Sequence, residues 1–274
     1  MSGLRSILVH LDAAPASEAR LQTALDLAPR HDARLTAWFA VGAEAAPPAF
    51  AYSAGAALSA LESQPPPHQS AREALRRRCA ESRPEIAWCE FAGDGIGKAF
   101  LAEAAYADLL LLGRPAARGE EGGAPSGFLE TAILDSGTPA LVVPALRFPG
   151  PIGTRVLVAW NGSLPSARAL RGALPLLERA EQVDVVSWAA APPAAPFSRL
   201  DVVAFLKRHG IAARAHLRAP RRSIGDALAA LAVELGADLV VMGCYGHSRA
   251  RERLFGGATR SALATLPIPI LMAH

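Results

Sequence analysis

Short apolar runs recur along the chain without polar alternation, separated by Ala- and Leu-rich stretches of roughly 10 to 17 residues whose apolar positions repeat at helical spacing. Strands buried on both faces read as continuous apolar runs, whereas a strand with one wet face alternates. The pattern therefore predicts parallel strands covered by helices on both sides, an α/β fold. Strands are expected near 5–11, 34–41, 85–91, 108–112 and 139–143, and again near 154–160, 182–189, 211–217, 238–242 and 268–273, with helices filling the gaps. Ser17 and Ser166 each stand near the start of a first helix, where a hydroxyl can cap free N–H groups.

Those two sets of five are copies. Arg5-Ser-Ile-Leu-Val-His-Leu-Asp12 recurs as Thr154-Arg-Val-Leu-Val-Ala-Trp-Asn161, and in both a Pro and then a Ser follow. Ala107-Asp-Leu-Leu-Leu-Leu-Gly113 recurs as Ala237-Asp-Leu-Val-Val-Met-Gly243, and Pro139-Ala-Leu-Val-Val-Pro144 as Pro269-Ile-Leu-Met-Ala-His274, both at an offset of 130 residues. A repeat of this length fixes the architecture before any single element is assigned. Phe148-Pro-Gly-Pro-Ile-Gly153, between the copies, has the composition of a linker. Two tracts break the symmetry. Residues 42–67 contain Pro47-Pro48 and Pro65-Pro66-Pro67, which cannot continue a helix, and residues 113–125 read as a loop.

Composition narrows the class. With 51% hydrophobic and 19% charged residues in 274, the chain is an ordinary globular protein of two domains, neither disordered nor fibrous. No apolar run has the length of a signal peptide or a membrane span, so a cytoplasmic location without membrane contact is expected. Cys79, Cys89 and Cys244 show no C-x-x-C spacing and form neither a disulfide framework nor a zinc knuckle. The net charge of +3 hides an asymmetry: residues 1–148 carry 13 basic and 17 acidic side chains (13 − 17 = −4), residues 149–274 carry 15 and 8 (15 − 8 = +7). A basic half favours an anionic partner. Of the 28 basic residues 26 are Arg, in a chain rich in Ala, Gly and Pro, and base composition accounts for that equally well.

The segment from Gly243 to Thr259 carries the most chemical information. It starts where an apolar strand ends and finishes where a helix begins, the place where ligands sit in an open parallel sheet. Gly243 and Gly246 would let backbone approach a ligand, while Gly256 and Gly257 open a helix whose N–H groups and positive dipole end favour phosphate. His247 and Arg249 lie in the same segment and could touch ribose or phosphate, although alternating arginines such as Arg249, Arg251 and Arg253 more often form a solvated face.

The spacing G-x2-G-x9-G, flanked by Asp238-Leu-Val-Val-Met-Gly243 and Pro267-Ile-Pro-Ile-Leu-Met272, resembles the nucleotide-binding signature of the universal stress proteins. The resemblance covers both halves. It implies two tandem Rossmann-like (adenine nucleotide alpha hydrolase-like) domains at 1–147 and 152–274, each a five-stranded parallel sheet of order 3-2-1-4-5 with helices on both faces. It also implies a ligand, ATP or a related adenine nucleotide with or without Mg2+. Asn161 stands where ATP-binding members have an Asp that contacts adenine, and Gly243, Gly246 and Gly256 match the phosphate loop. Gly257 replaces the family's Ser or Thr, a donor worth about 0.5 to 1.5 kcal/mol, and Thr259 could compensate. Half one keeps Asp12 but has Ala116 and Ser126 at the second and third Gly positions and adds Glu120-Glu121, so no nucleotide is expected there. Family members pair through their last strands, which implies an intramolecular pseudo-dimer and leaves room for a homodimer and for an unidentified protein partner.

Nothing in the sequence points to catalysis. Gly93-Asp-Gly-Ile-Gly97-Lys98 mimics a P-loop, but Ala92 and Ala99 stand where Gly and Ser or Thr must, and a strand-to-helix turn is expected, with Gly225 its counterpart. There is no G-x-S-x-G elbow and no H-E-x-x-H, and the seven histidines are scattered. No nucleic-acid module is recognisable. The expected function is a nucleotide-binding stress-response protein, not an enzyme; the competing readings are a nucleotide-independent interaction module and an enzyme of the electron-transfer flavoprotein or adenylate-forming type, which share a related core.

Overall fold

The computed structural model describes residues 3–41, 67–83, 85–114, 123–188, 201–219, 224–244 and 257–274. Within them strands and helices alternate. The first half contains β1 (Ser6–Leu11), α1 (Ala16–His31), β2 (Arg34–Val41), α2 (Pro67–Glu81), β3 (Ile86–Ala92), α3 (Ile96–Ala104), β4 (Leu109–Gly113), α4 (Phe128–Asp135) and β5 (Ala140–Val143). The second contains β6 (Arg155–Ala159), α5 (Leu164–Leu177), β7 (Gln182–Trp188), α6 (Val202–Arg208), β8 (Ala213–Arg218), α7 (Ile224–Glu234), β9 (Leu239–Gly243), α8 (Ala258–Thr265) and β10 (Ile270–Ala273). Every expected strand is present, with ends displaced by one or two residues.

All ten strands join one sheet in the order β3-β2-β1-β4-β5-β10-β9-β6-β7-β8. Pairing is parallel within each half and antiparallel only at the joint, where Ala140, Leu141 and Val142 face Met272, Leu271 and Ile270. In both halves the order reverses between the first strand and the fourth, β1 beside β4 and β6 beside β9. Each face of the sheet carries a single apolar layer that runs across the joint. One includes Val9, Leu21, Leu27, Leu111, Val158, Leu170 and Leu271 under α1 and α5; the other includes Leu8, Phe100, Ile133, Leu157, Leu228, Val240 and Met272 under α3, α4, α7 and α8. At about 25 cal/mol per Å² of buried apolar surface, these layers dominate the fold's stabilisation.

The repeated Ala-Asp-Leu motif now has a physical meaning. Asp108 accepts from the backbone N–H groups of Arg5 and Ser6, at 2.8 and 2.9 Å. Asp238 does the same for Gly153, Thr154 and Arg155, at 2.7 to 3.0 Å. Each carboxylate thus holds the start of its half's first strand against the fourth. The linker is equally fixed: Phe148 packs against both layers, Ile152 is buried, and Arg30 Nη1 donates to the Ile152 carbonyl at 2.6 Å. Gly93 and Gly95, both at positive φ, form the strand-to-helix turn between β3 and α3.

The capping expectation needs correction. The N-cap of α5 is Ser163, whose Oγ accepts from Ser166 N at 3.3 Å, while the Ser166 hydroxyl donates back to the Ser163 carbonyl. The N-cap of α1 is Pro15, with no side-chain cap, and the Ser17 hydroxyl is turned to Asp12 instead. Of the proline tract, Pro67 opens α2, a position where its missing N–H costs nothing.

Asp238→Ala is expected to lower stability by about 1 to 3 kcal/mol, because it strips an acceptor from three backbone donors. Asp108→Ala should cost less, since two donors are affected; urea-unfolding midpoints of the two variants give the ranking.

Candidate ligand-binding site

The mouth of the second half lies at the C-terminal ends of β6 and β9, neighbours that pair Ala159 with Met242. Asn161 and Gly243 follow directly. Asn161 is exposed, and its Oδ1 accepts from Ser163 N at 3.1 Å across Gly162 at φ +73°, closing an Asx turn that leads into the Ser163 cap of α5. Gly243 has a packing reason to be glycine: a Cβ there would lie 2.4 Å from Ser166 N and 2.6 Å from the Pro165 carbonyl carbon. The N-terminus of α5 closes on this residue, which brings a helix dipole to the strand ends.

Gly257 occupies the N-cap of α8 in extended conformation, and without a side chain it makes no cap bond. Since α8 returns the chain from β9 to the parallel strand β10, its start stands at the same end of the sheet. Thr259 is in its first turn and 2% exposed. Gly246, His247, Arg249 and Gly256 lie outside the described residues. The structure therefore joins Asn161 with Gly243 at one strand end and sets Gly257 and Thr259 at the head of the next helix. Beside them Cys244 is buried, its S–H donating to the Ala273 carbonyl at 3.3 Å.

The corresponding mouth of the first half is filled. Arg20, on α1 and 3% exposed, sends Nη1 to the His10 carbonyl at 2.8 Å and to His10 Nδ1 at 2.9 Å, and Nη2 to Asp12 Oδ1 and Ser17 Oγ, both at 3.4 Å. Asp12 Oδ1 also accepts from the Ser17 hydroxyl at 2.7 Å and from Ala14 N at 3.2 Å, and its Oδ2 accepts from Ala124 N at 3.2 Å. An arginine can only donate, so His10 Nδ1 is the acceptor and the ring proton sits on Nε2, which has no hydrogen-bond partner among the described residues. Around the imidazole lie Phe128, Phe100 and Trp38, with ring centroids 4.3, 5.9 and 6.0 Å away.

These surroundings set the protonation states. Burial, reinforced by Arg20, pulls the pKa of His10 from 6.5 to about 3. Asp12 is lowered despite burial, because the charge of Arg20 and the hydrogen bonds of Ser17 and Ala14 favour the carboxylate. The mouth of the first half is thus a closed pair of opposite charges beside a neutral imidazole. In the second half the register places Ala159 opposite His10, Ala169 opposite Arg20 and Asn161 opposite Asp12. Neither His10 nor Arg20 was among the candidates read from the sequence. The available signal was position: Arg20 falls on the stripe of Ser17, Leu21, Ala24 and Leu27, the buried face of α1.

A second buried carboxylate, Asp184, accepts from Gln182 Nε2 at 2.6 Å, lies 2.7 Å from His216 Nε2 and pairs with Arg214 at 3.2 Å. It fastens the outermost strand β8 to β7. Among the described residues no group of three or more His, Cys, Asp or Glu could hold a metal. No helix is long and apolar enough to cross a membrane among the same residues.

His10 and His31, the latter lowered from 6.5 to about 4 by burial and by Arg179 and Arg30, both remain neutral in the folded state where the unfolded chain is protonated. Their contribution is therefore complete above pH 6.5 and lost as pH falls toward about 4 for His31 and about 3 for His10. His10→Asn keeps an acceptor for Arg20 but removes one titration, so its urea midpoint should fall less steeply over this range than that of the parent.

Comparison with known proteins agrees with this architecture. The family model of the Universal stress protein family matches residues 154–274. A universal stress protein from Archaeoglobus fulgidus DSM 4304 superposes with a TM-score of 0.68 at 15% identity, over 98% of this chain and 95% of that one. A putative universal stress protein from Pseudomonas aeruginosa UCBPP-PA14 gives 0.57 at 17% identity, over 98% and 92%. The cytoplasmic domain of a prokaryotic cation chloride cotransporter gives 0.50 at 9%, over 98% and 94%. No curated protein matches the sequence. Residues 154–274 are thus a domain of the universal stress protein family, and the first half repeats the same strand order.

Proposed function

We propose that the second half binds an adenine nucleotide, ATP or a close relative, at the ends of β6 and β9, and that the chain acts as a binding protein and not as an enzyme. The observation that carries this reading is the contrast between the two mouths. Where the first has His10 and Arg20, the second has Ala159 and Ala169, and the N-terminus of α5 closes on Gly243. A strand-end crevice with small side chains and helix N-termini suits a phosphate-bearing ligand. The excess of positive charge in residues 149–274 draws the same class of ligand.

Asn161 in place of the family's Asp removes a carboxylate at this position, one group fewer to hold a Mg2+ ion arriving with the nucleotide. The Asn161 Oδ1 is committed to Ser163 N, which leaves the amide nitrogen as the group it can offer a base. Occupancy of the site would be read by a protein partner, in the cytoplasm, with association of two chains as a further possibility that sedimentation would resolve.

That commitment of Asn161, with Gly257 in place of a hydroxyl donor, favours a second reading, a nucleotide-independent interaction module. Calorimetry separates the two. One nucleotide per chain among ATP, ADP and AMP is expected; no heat at millimolar ligand, together with no nucleotide co-purifying, would leave the second reading standing. Gly246→Glu should abolish binding without shifting the unfolding midpoint, since it sets a carboxylate in a stretch assigned to phosphate; retained binding would remove that stretch from the site.

A further inference from the structure

Ligands of open α/β sheets occupy the crevice outside the strand ends where the strand order reverses. In the first half that crevice, between β1 and β4, holds the guanidinium of Arg20. We infer that Arg20 is an internal ligand: it occupies the first mouth from within, so that this half takes no outside molecule, and its removal exposes a buried site for a guanidinium-type cation.

Shape and charge both support the assignment. A Cβ on Gly113 would lie 2.8 Å from Arg20 Cζ, so the plane of the guanidinium rests on glycine backbone as a bound planar group would. One arm of the fork meets the His10 carbonyl and imidazole; the other reaches Asp12 and Ser17. An ammonium cannot reproduce this two-armed donation. Asp12, 4% exposed, and Arg20, 3% exposed, are each other's counter-charge, and deleting one leaves the other buried and uncompensated. Ala124 N, bonded to Asp12 Oδ2, ties the chain leading into α4 across the same carboxylate. The counterpart of Arg20 in the second half is Ala169, fully buried, so the two copies differ here in their interiors and not on their surfaces.

The inference concerns the first half alone and stands apart from nucleotide binding by the second. Its test is chemical rescue of full-length Arg20→Ala. Methylguanidinium chloride at millimolar concentration is expected to raise the unfolding temperature of this variant with the logarithm of its concentration, while equal tetramethylammonium chloride does not and the parent does not respond. Adding Asp12→Asn should abolish the rescue. Equal effects of the two salts, an equal response of the parent, or rescue that survives Asp12→Asn would each overturn the assignment. If Arg20→Ala does not fold unaided, the refolding yield in the two salts serves as the readout, and equal yields, including none in either, overturn it.

Discussion

Three antiparallel residue pairs between β5 and β10 determine the shape of everything else in this protein. A parallel five-stranded sheet ends in two open edges, each a row of unpaired N–H and C=O groups. Turning the fifth strand of each copy against its twin removes two of the four edges and lets the apolar layers on both faces pass across the joint. The halves therefore share their cores instead of touching at a surface. Because the joint is antiparallel while each half is parallel, the two sets of strands point in opposite directions. Their C-terminal mouths face away from each other.

That geometry separates the two strand-end crevices, and the sequence has furnished them differently. The first is closed by ionic and hydrogen-bonding partners drawn from β1, α1 and the chain before α4. In the second, Ala159 and Ala169 stand where the first has His10 and Arg20, and the start of α5 lies close against β9. An opposite-charge pair buried this deeply is costly to assemble and more costly to break, which makes the first mouth a rigid element. The second retains helix N-termini, whose partial positive charge needs a partner. Within one fold the two mouths thus differ at the paired positions 10/159, 12/161 and 20/169.

The scaffold was legible in the sequence because parallel strands are buried on both faces and so write themselves as unbroken apolar runs; Leu109–Gly113 and Leu239–Gly243 are plain cases. The repeated motifs then pointed to two copies of one unit. Reading failed where a residue's task depends on what another element brings to it. Ser17 has the composition of a cap but answers Asp12, and the room that Gly243 makes for Pro165 and Ser166 is not visible in the sequence. Arg20 reads as one more arginine on a helix, and only its place on the buried stripe of α1 distinguishes it. Half of the expected site residues, Gly246, His247, Arg249 and Gly256, lie outside the described segments.

The linker has an evolutionary consequence. Once Phe148 to Gly153 tethers the two copies, their mutual encounter no longer depends on how much protein a cell makes, because the tether fixes the effective concentration of each partner for the other. A dimer of identical chains must alter both copies with every mutation. A covalently joined pair is released from that symmetry, so one copy can bury an arginine where the other has alanine.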